Sequence, residues 1–252
     1  MPDFKTILLP LLVFLVAILY SSVGFGGASS YLAVMSLFDV APAASATIAL
    51  CLNILVAGIA FANYFRYGYL RVKLLWPFLV TSIPAAFIGG ALNVSIPLYQ
   101  LFLHAVLLYL ALRILFFPKP EAKPDQEYTH PPLWLALVLG CLLGLVSGIV
   151  GIGGGIFLSP LIILAGWGSA KQAAACSAAF IVLNSISGLV GRLSGGTFFF
   201  GSLGWVLLPV GVAGGLIGSY LGARYLPGKN VQRLLAVILL IVILRYGIGL
   251  IG

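Results

Sequence analysis

Long apolar runs separated by short polar punctuation dominate this chain. Residues 6–38, 40–65, 74–112, 131–170, 172–191 and 193–223 contain no Asp, Glu, Lys or Arg. A bilayer crossing takes ~20 mainly apolar residues, so these runs predict seven or eight membrane elements. They are expected to be helices, because a helix satisfies its own backbone hydrogen bonds where no water is available. The one polar interruption, Pro118 to Pro132 with Lys119, Glu121, Lys123, Asp125 and Glu127, reads as a linker.

The same features recur in order on both sides of that linker. Gly24-Phe25-Gly26-Gly27-Ala28 answers to Gly151-Ile152-Gly153-Gly154-Gly155, and Asn53 followed by Gly58 answers to Asn184 followed by Gly188. Ile88-Gly89 then answers to Ile217-Gly218, and Ala105-Val106 to Ala236-Val237. Ordered matches of this kind point to an internal duplication. The expected organisation is one membrane domain: repeat one over 6–117, a linker over 118–131 and repeat two over 132–250. The fold class is an all-α polytopic membrane protein of two pseudo-symmetric four-element halves.

The first element of each half, 6–38 and 132–166, is too long for one simple crossing and is interrupted near its middle by glycines. Glycine adopts backbone conformations that a helix cannot use, so each element is expected to be broken or re-entrant. The basic residues favour re-entry. If both broken elements dip and return, only Lys5, Arg192 and Arg245 oppose the other ten Lys and Arg residues. If every element crosses, the partition is nine against four. The more asymmetric arrangement makes the halves inverted repeats with both termini on the external side.

Composition agrees with a membrane protein: 62% of residues are apolar and 7% charged, far from the average of a soluble domain. The formal charge of +8 is accounted for by loop anchoring on the cytoplasmic side, so nucleic acid is not an expected partner. Some of that charge could also draw anions toward a pore mouth. Cys51, Cys141 and Cys176 lie inside apolar runs without CxxC spacing and read as small core residues. The first apolar run has no basic region or cleavage site before it and leads straight into further spans, so no removable signal peptide is expected. The expected location is the inner (plasma) membrane, multi-pass.

Candidate chemistry sits in the glycine motifs. A run such as Gly151 to Gly155 frees consecutive backbone N–H groups and lets them converge at the start of a half-helix, where the helix dipole favours an anion. Two such breaks in corresponding places point to a site between the halves at mid-membrane. The alternative is that the glycines only let helices approach closely. Neither copy is GxGxxG after a strand, so nucleotide binding is not indicated.

The arrangement Ser147-Gly-Ile-Val-Gly-Ile-Gly-Gly-Gly-Ile-Phe-Leu-Ser-Pro160, followed by Ala173 to Gly188 with Cys176-Ser177 and Asn184, resembles the TauE/SafE sulfite exporter family. The first-half counterpart from Ser22 and the four-plus-four layout fit as well, so the likeness covers nearly the whole chain. It implies export of sulfite or an organosulfonate such as sulfoacetate. On that resemblance Gly24, Gly26 and Gly27 match the first motif, Gly151, Gly153, Gly154 and Gly155 the second, and Asn184 the polar position in the following helix. The chain has Cys176-Ser177 where the family often carries Thr-Ser, which weakens the case for a ligand contact at 176.

Other intramembrane polar groups complete the candidate set. Asn53 and Asn184 could hydrogen-bond an oxyanion from equivalent places, or serve as interhelical glue. Ser22, Ser147 and Ser177 (and Ser21) could add donors, although a lone serine is usually satisfied by its own helix. Arg192 suits an oxyanion, while the commoner expectation for its position is a side chain reaching out to the interface. His104 is expected to pack between helices. All five acids, Asp3, Asp39, Glu121, Asp125 and Glu127, lie outside the middle of the apolar runs, so no carboxylate relay for protons or sodium is expected.

The sequence therefore predicts a small anionic substrate, the bilayer as the other partner, no cofactor, no catalytic residues and no metal site. A homodimer is left open. The rival reading is an ion channel in which Ser22-Val23-Gly24-Phe25-Gly26 acts as a filter-like loop of carbonyls. A serine hydrolase has little material, since the two histidines are His104 and His130 in the linker.

Overall fold

The computed structural model of the protein describes residues 4–22, 26–116 and 128–224, and these form nine helices and no strand. They are α1 (Phe4–Ser22), α2 (Ala28–Leu37), α3 (Pro42–Arg66), α4 (Val72–Ala91), α5 (Ile96–Phe116), α6 (Leu133–Val150), α7 (Gly155–Leu164), α8 (Ala170–Ser194) and α9 (Gly201–Arg224). Local chemistry marks several of their starts. Pro42 opens α3, where its missing N–H has no helical partner to lose. Ser169 and Gln172 form a reciprocal capping box at α8, with bonds of 3.2 and 3.0 Å.

Both over-long elements are broken where the glycines predict. Gly27 has φ 87° ahead of α2, and Gly151, Gly153 and Gly154 have φ 90°, 77° and 73° between α6 and α7. An L-residue pays about 1–2 kcal/mol for that left-handed region, so the glycine clusters dictate where each helix stops. Gly24, which belongs to the first cluster, lies outside the described residues.

Side-by-side contacts fix the directions of six of the helices. Gly140, Gly144 and Gly148 of α6 press against the backbone of Phe78, Ser82 and Ala86 of α4; the numbers rise together, so these helices run the same way. Gly191 and Gly195 of α8 meet Phe87 and Ala91 of α4 in the same sense. On the other flank, Gly214 and Gly218 of α9 meet Phe14 and Ile18 of α1, while Gly211 and Gly215 meet Leu52 and Val56 of α3. Between the flanks, α3 and α8 run oppositely, with Asn53 beside Ser185 and Leu50 beside Gly188.

Thus α1, α3 and α9 share one direction and α4, α6 and α8 the other. Since α1 and α3 run the same way, α2 must bring the chain back, and α7 does the same between α6 and α8. Each glycine-broken element is therefore a re-entrant excursion. The base of the second is tied by Thr129 N–H donating to Gly166 O at 3.1 Å, and a compact core of Ala136, Ile162, Trp167, Ala173 and Phe78 packs there. Glycines at these crossings allow backbones to touch, the usual means of packing helices in lipid.

Five of the helices, α3, α4, α6, α8 and α9, are long and apolar enough to cross a membrane. Large apolar side chains such as Leu142, Val190 and Leu216 stand exposed along their outer faces, as a lipid-facing surface requires. Arg66, Arg71, Lys73 and Lys171 gather at one end of the bundle, with Tyr67, Trp76 and Trp134 exposed nearby. At that end Lys171 Nζ donates to Tyr69 Oη at 3.1 Å. Trp205 and Phe199 are exposed at the opposite end, so aromatic side chains mark both levels, as at membrane interfaces.

Two expectations need correcting. Cys141 is exposed on the outer face of α6, not a core residue, and Cys51 is half-buried; only Cys176 is fully enclosed, because the inner faces of these helices are taken by glycine and alanine. Arg192 does not reach out to the interface. It is 5% exposed, because the carbonyl end of α6 offers it partners inside the bundle.

A candidate anion site where two helix breaks meet

Asn53 stands near the middle of α3 and its amide lies between the two breaks. A Cβ added at Gly26 would sit 2.5 Å from Asn53 Oδ1, and one added at Gly153 would sit 2.7 Å from Nδ2. Only glycine at both positions lets the amide occupy this place. Asn53 Nδ2 donates to Ile152 O at 3.0 Å and lies 3.5 Å from Ser185 Oγ. Because a carbonyl oxygen can only accept, the orientation of the amide follows: Nδ2 faces the second break and Oδ1 faces the first.

A small cavity lies at this point, lined by Tyr20, Gly26, Gly27, Ala28, Ser29, Asn53, Ile152, Ile156 and Ile181. Its free volume of about 10 Å³ matches a single water, less than an oxyanion of four or more heavy atoms needs. The N-terminal turns of both half-helices line it, α2 through Ala28 and Ser29, α7 through Ile156. Both dipoles therefore present their positive ends to one spot. The N–H groups of Ile152, Gly153 and Gly154 donate to no described residue, and Gly153 and Gly154 are left-handed in succession. Such a sequence of amides forms a concave donor surface.

Hydroxyl groups supply the opposite wall. Ser30 Oγ donates to Tyr20 Oη at 3.0 Å, and Tyr20 Oη and Ser29 Oγ are paired at 2.8 Å. Three O–H groups joined by two links leave one proton unspent, and both Tyr20 and Ser29 line the cavity. Two further buried polar atoms beside it have no partner among the described residues: Asn53 Oδ1 and Tyr31 Oη, the latter close to Gly27. Unpaired buried groups of this kind cost about 1–3 kcal/mol each, a cost that a ligand can relieve.

The second break is held rigidly by side chains from three other helices. Arg192 of α8 donates to Gly148 O at 3.1 Å and to Ile149 O at 2.8 Å, Tyr99 of α5 donates to Val150 O at 3.3 Å, and Asn53 takes Ile152 O. The carbonyls freed by ending α6 are thus largely accounted for, and a cation at a helix C-terminus is favoured by the dipole as well. Arg192 consequently stands at the back of the break, outside the cavity lining.

Of the residues singled out from sequence, Gly26, Gly27 and Asn53 line the cavity, and Gly153 packs on Asn53. Gly151, Gly154 and Gly155 shape the turn: Gly151 packs on Ala46, Gly154 on the Phe180 ring, and Gly155 on the Ser177 backbone. Asn184 is buried on α8 with Nδ2 donating to Phe180 O at 2.9 Å and Oδ1 unpartnered among the described residues. Ser147 and Ser177 are fully buried with hydroxyls that likewise meet no described partner. Ser21 donates to Gly215 O, joining α1 to α9. Gly24, Val23, Phe25 and the Ser22 side chain lie outside the described residues, and with them the proposed filter carbonyls. His104 sits on α5 beside Gln100 O, away from the cavity. Among the described residues no cluster of His, Cys, Asp or Glu has the makings of a metal site.

Tyr20, Ser29, Ser30, Tyr31 and Ser185 were not legible as candidates. The available signal was the hydroxyl-rich stretch Ser29-Ser30-Tyr31 directly after the first glycine motif, where the second motif is followed by the apolar Ile156-Phe157-Leu158.

Comparison with known proteins decides the family. The profile described as "Sulfite exporter TauE/SafE" matches residues 9–246. The chain belongs to the TauE/SafE family. It is 34% identical over 240 residues to the "Probable membrane transporter protein y4hK" of Sinorhizobium fredii, covering 95% of this chain and 97% of that one. It is 27% identical over 234 residues to the "Probable membrane transporter protein YdhB" of Bacillus subtilis, covering 86% and 89%. A shorter likeness, 34% over 87 residues, links it to the "Probable membrane transporter protein MJ0441" of Methanocaldococcus jannaschii. No solved structure matches. As a TauE/SafE protein with five candidate spans among the described residues, the chain is a multi-pass membrane transporter.

Proposed function

We propose that the protein exports a small sulfur oxyanion, sulfite or a short organosulfonate such as sulfoacetate, across the plasma membrane, and that the anion binds where the two helix breaks meet, once the halves move apart enough to widen a cavity that here has the volume of one water. The observation that carries this reading is the convergence of the α2 and α7 N-termini on one cavity that also holds Asn53 and a spare hydroxyl proton. Helix N-termini and free amides suit an oxyanion, and they do so without any full positive charge.

The halves are read as inverted repeats. In support, α1 packs alongside α9 as α6 packs alongside α4, and the two sets run in opposite directions. Because Arg66, Arg71, Lys73 and Lys171 share one end, that end is read as cytoplasmic. On this orientation α6–α7 enters from the cytoplasm and α1–α2 from outside, and the site is reached alternately by rocking one half against the other. The described membrane helices carry no Asp or Glu, which favours uniport, or movement of a proton on the substrate itself.

The test is a thermal-shift series on purified protein in detergent with sulfite, sulfate, thiosulfate, sulfoacetate, chloride and potassium. Stabilisation by a sulfur oxyanion above chloride is expected. A response to potassium alone would reverse the reading in favour of a channel.

A further inference from the structure

We propose that the site selects an oxyanion that brings its own hydrogen-bond donor, so that the species bound is hydrogensulfite and not the fully ionised sulfite dianion. The inference rests on the reading of the cavity as an oxyanion site and adds what that site distinguishes.

The argument begins with an atom that does not suit a bare anion. Asn53 Oδ1 is a pure acceptor, 1% of the residue is exposed, and the oxygen meets no described partner. Its amide cannot be turned round to offer Nδ2 in its place, because Nδ2 is held by Ile152 O. Oδ1 faces Gly26, which also lines the cavity. A dianion with lone pairs on every side would meet this oxygen with repulsion. A ligand with one remaining proton would satisfy it, while its ionised oxygens take the spare hydroxyl proton of the Tyr20–Ser29 pair and the free N–H of Ile152, which lines the cavity from the second break. One acceptor among several donors is complementary to a singly protonated oxyanion.

Charge points the same way. None of the cavity-lining residues is Lys, Arg, His, Asp or Glu; helix dipoles and hydroxyls offset about one unit of buried negative charge far better than two. Of the titratable groups around Asn53, Tyr20 of α1 lines the same cavity, Tyr31 of α2 stands beside Gly27, and Tyr99 of α5 and Arg192 of α8 lie behind the break; Cys51, on another face of α3, and Cys176 of α8 do not line the cavity. Phenols, thiols and guanidinium ordinarily ionise above about pH 8, so a pH response below that comes from the ligand. His104, which ordinarily titrates near neutrality, lies on α5 outside the lining.

The experiment measures affinity by calorimetry on the full-length protein in detergent, with sulfite and with methanesulfonate, across the pH range in which sulfite loses its last proton. Methanesulfonate is a permanent monoanion with a methyl group in place of the donor. Apparent affinity for total sulfite should fall roughly tenfold per pH unit once past that ionisation, as linkage of one proton demands. Methanesulfonate affinity should stay level. At the acid end, hydrogensulfite should bind about ten- to a hundredfold more tightly than methanesulfonate, since the latter leaves Oδ1 unpaired. Asn53→Leu should abolish that preference, and His104→Gln should keep both the preference and the slope. Sulfite affinity that is level with pH, or methanesulfonate binding as tightly as hydrogensulfite to the wild-type protein, would overturn the inference while leaving the oxyanion site standing. No binding of either anion at any pH would overturn both.

Discussion

Gly144 gives the sharpest test of how α4 and α6 are held together. A methyl group added there would stand 2.6 Å from Ser82 Cα and 2.8 Å from its carbonyl carbon on α4. Carbon atoms prefer about 3.5–4.0 Å, so α4 and α6 would have to part by roughly 1 Å, and both are backbone that cannot rotate out of the way. Gly58 on α3 is the matched control, because a methyl there meets nothing within 4 Å. Both substitutions to Ala gain the same helix propensity, about 1 kcal/mol, which cancels in their difference. What remains is the overpacking cost, about 1–3 kcal/mol. Reversible unfolding in mixed micelles should therefore place Gly144→Ala about 1–3 kcal/mol below Gly58→Ala. Equal stabilities for the two variants would refute the parallel, backbone-to-backbone packing of α4 on α6.

Other consequences are as definite. Arg192→Leu removes two bonds from a charged group to the α6 terminus, each worth about 1.5–3 kcal/mol, and should lower the melting temperature sharply, with Arg192→Lys intermediate. Gly153→Ala combines a left-handed φ of 77° with a contact 2.7 Å from Asn53 Nδ2, and should abolish anion-induced thermal stabilisation while the protein still folds. Cys141, exposed on the lipid-facing side of α6, should resist maleimide in the bilayer because lipid disfavours the thiolate and should react once the protein is transferred to denaturant, as should the enclosed Cys176. A cysteine placed at Tyr67, exposed at the basic end, should be labelled by an impermeant maleimide in inside-out vesicles and protected in intact cells.

Much of the fold was written in the chain because its signals are local. Gly27, Gly151, Gly153 and Gly154 name the breaks, since few other residues occupy their left-handed φ values cheaply, and the charge-free runs name the helices. The basic residues leaned toward re-entry without deciding it; the shared direction of α1 and α3 decides it. The site was only half legible. Asn53 and Gly153 stand 100 residues apart, and nothing in their spacing says that one amide rests between two distant glycines. Arg192 was misread because an arginine near the end of an apolar run is ordinarily drawn to water; here the unfinished carbonyls of α6, created by the break, draw it inward. The Tyr20, Ser29 and Ser30 network escaped notice because serines and tyrosines are common in membrane helices and only their convergence gives them meaning.

The central claim is that a sulfur oxyanion passes through the cavity between the breaks, and its most direct test is radiolabelled sulfite efflux from proteoliposomes containing the wild-type protein or the Gly153→Ala variant. The account predicts saturable efflux from wild-type vesicles and a rate near that of protein-free vesicles for the variant, with equal amounts of folded protein in both. Wild-type efflux no faster than from empty vesicles, or undiminished efflux through Gly153→Ala, would contradict it.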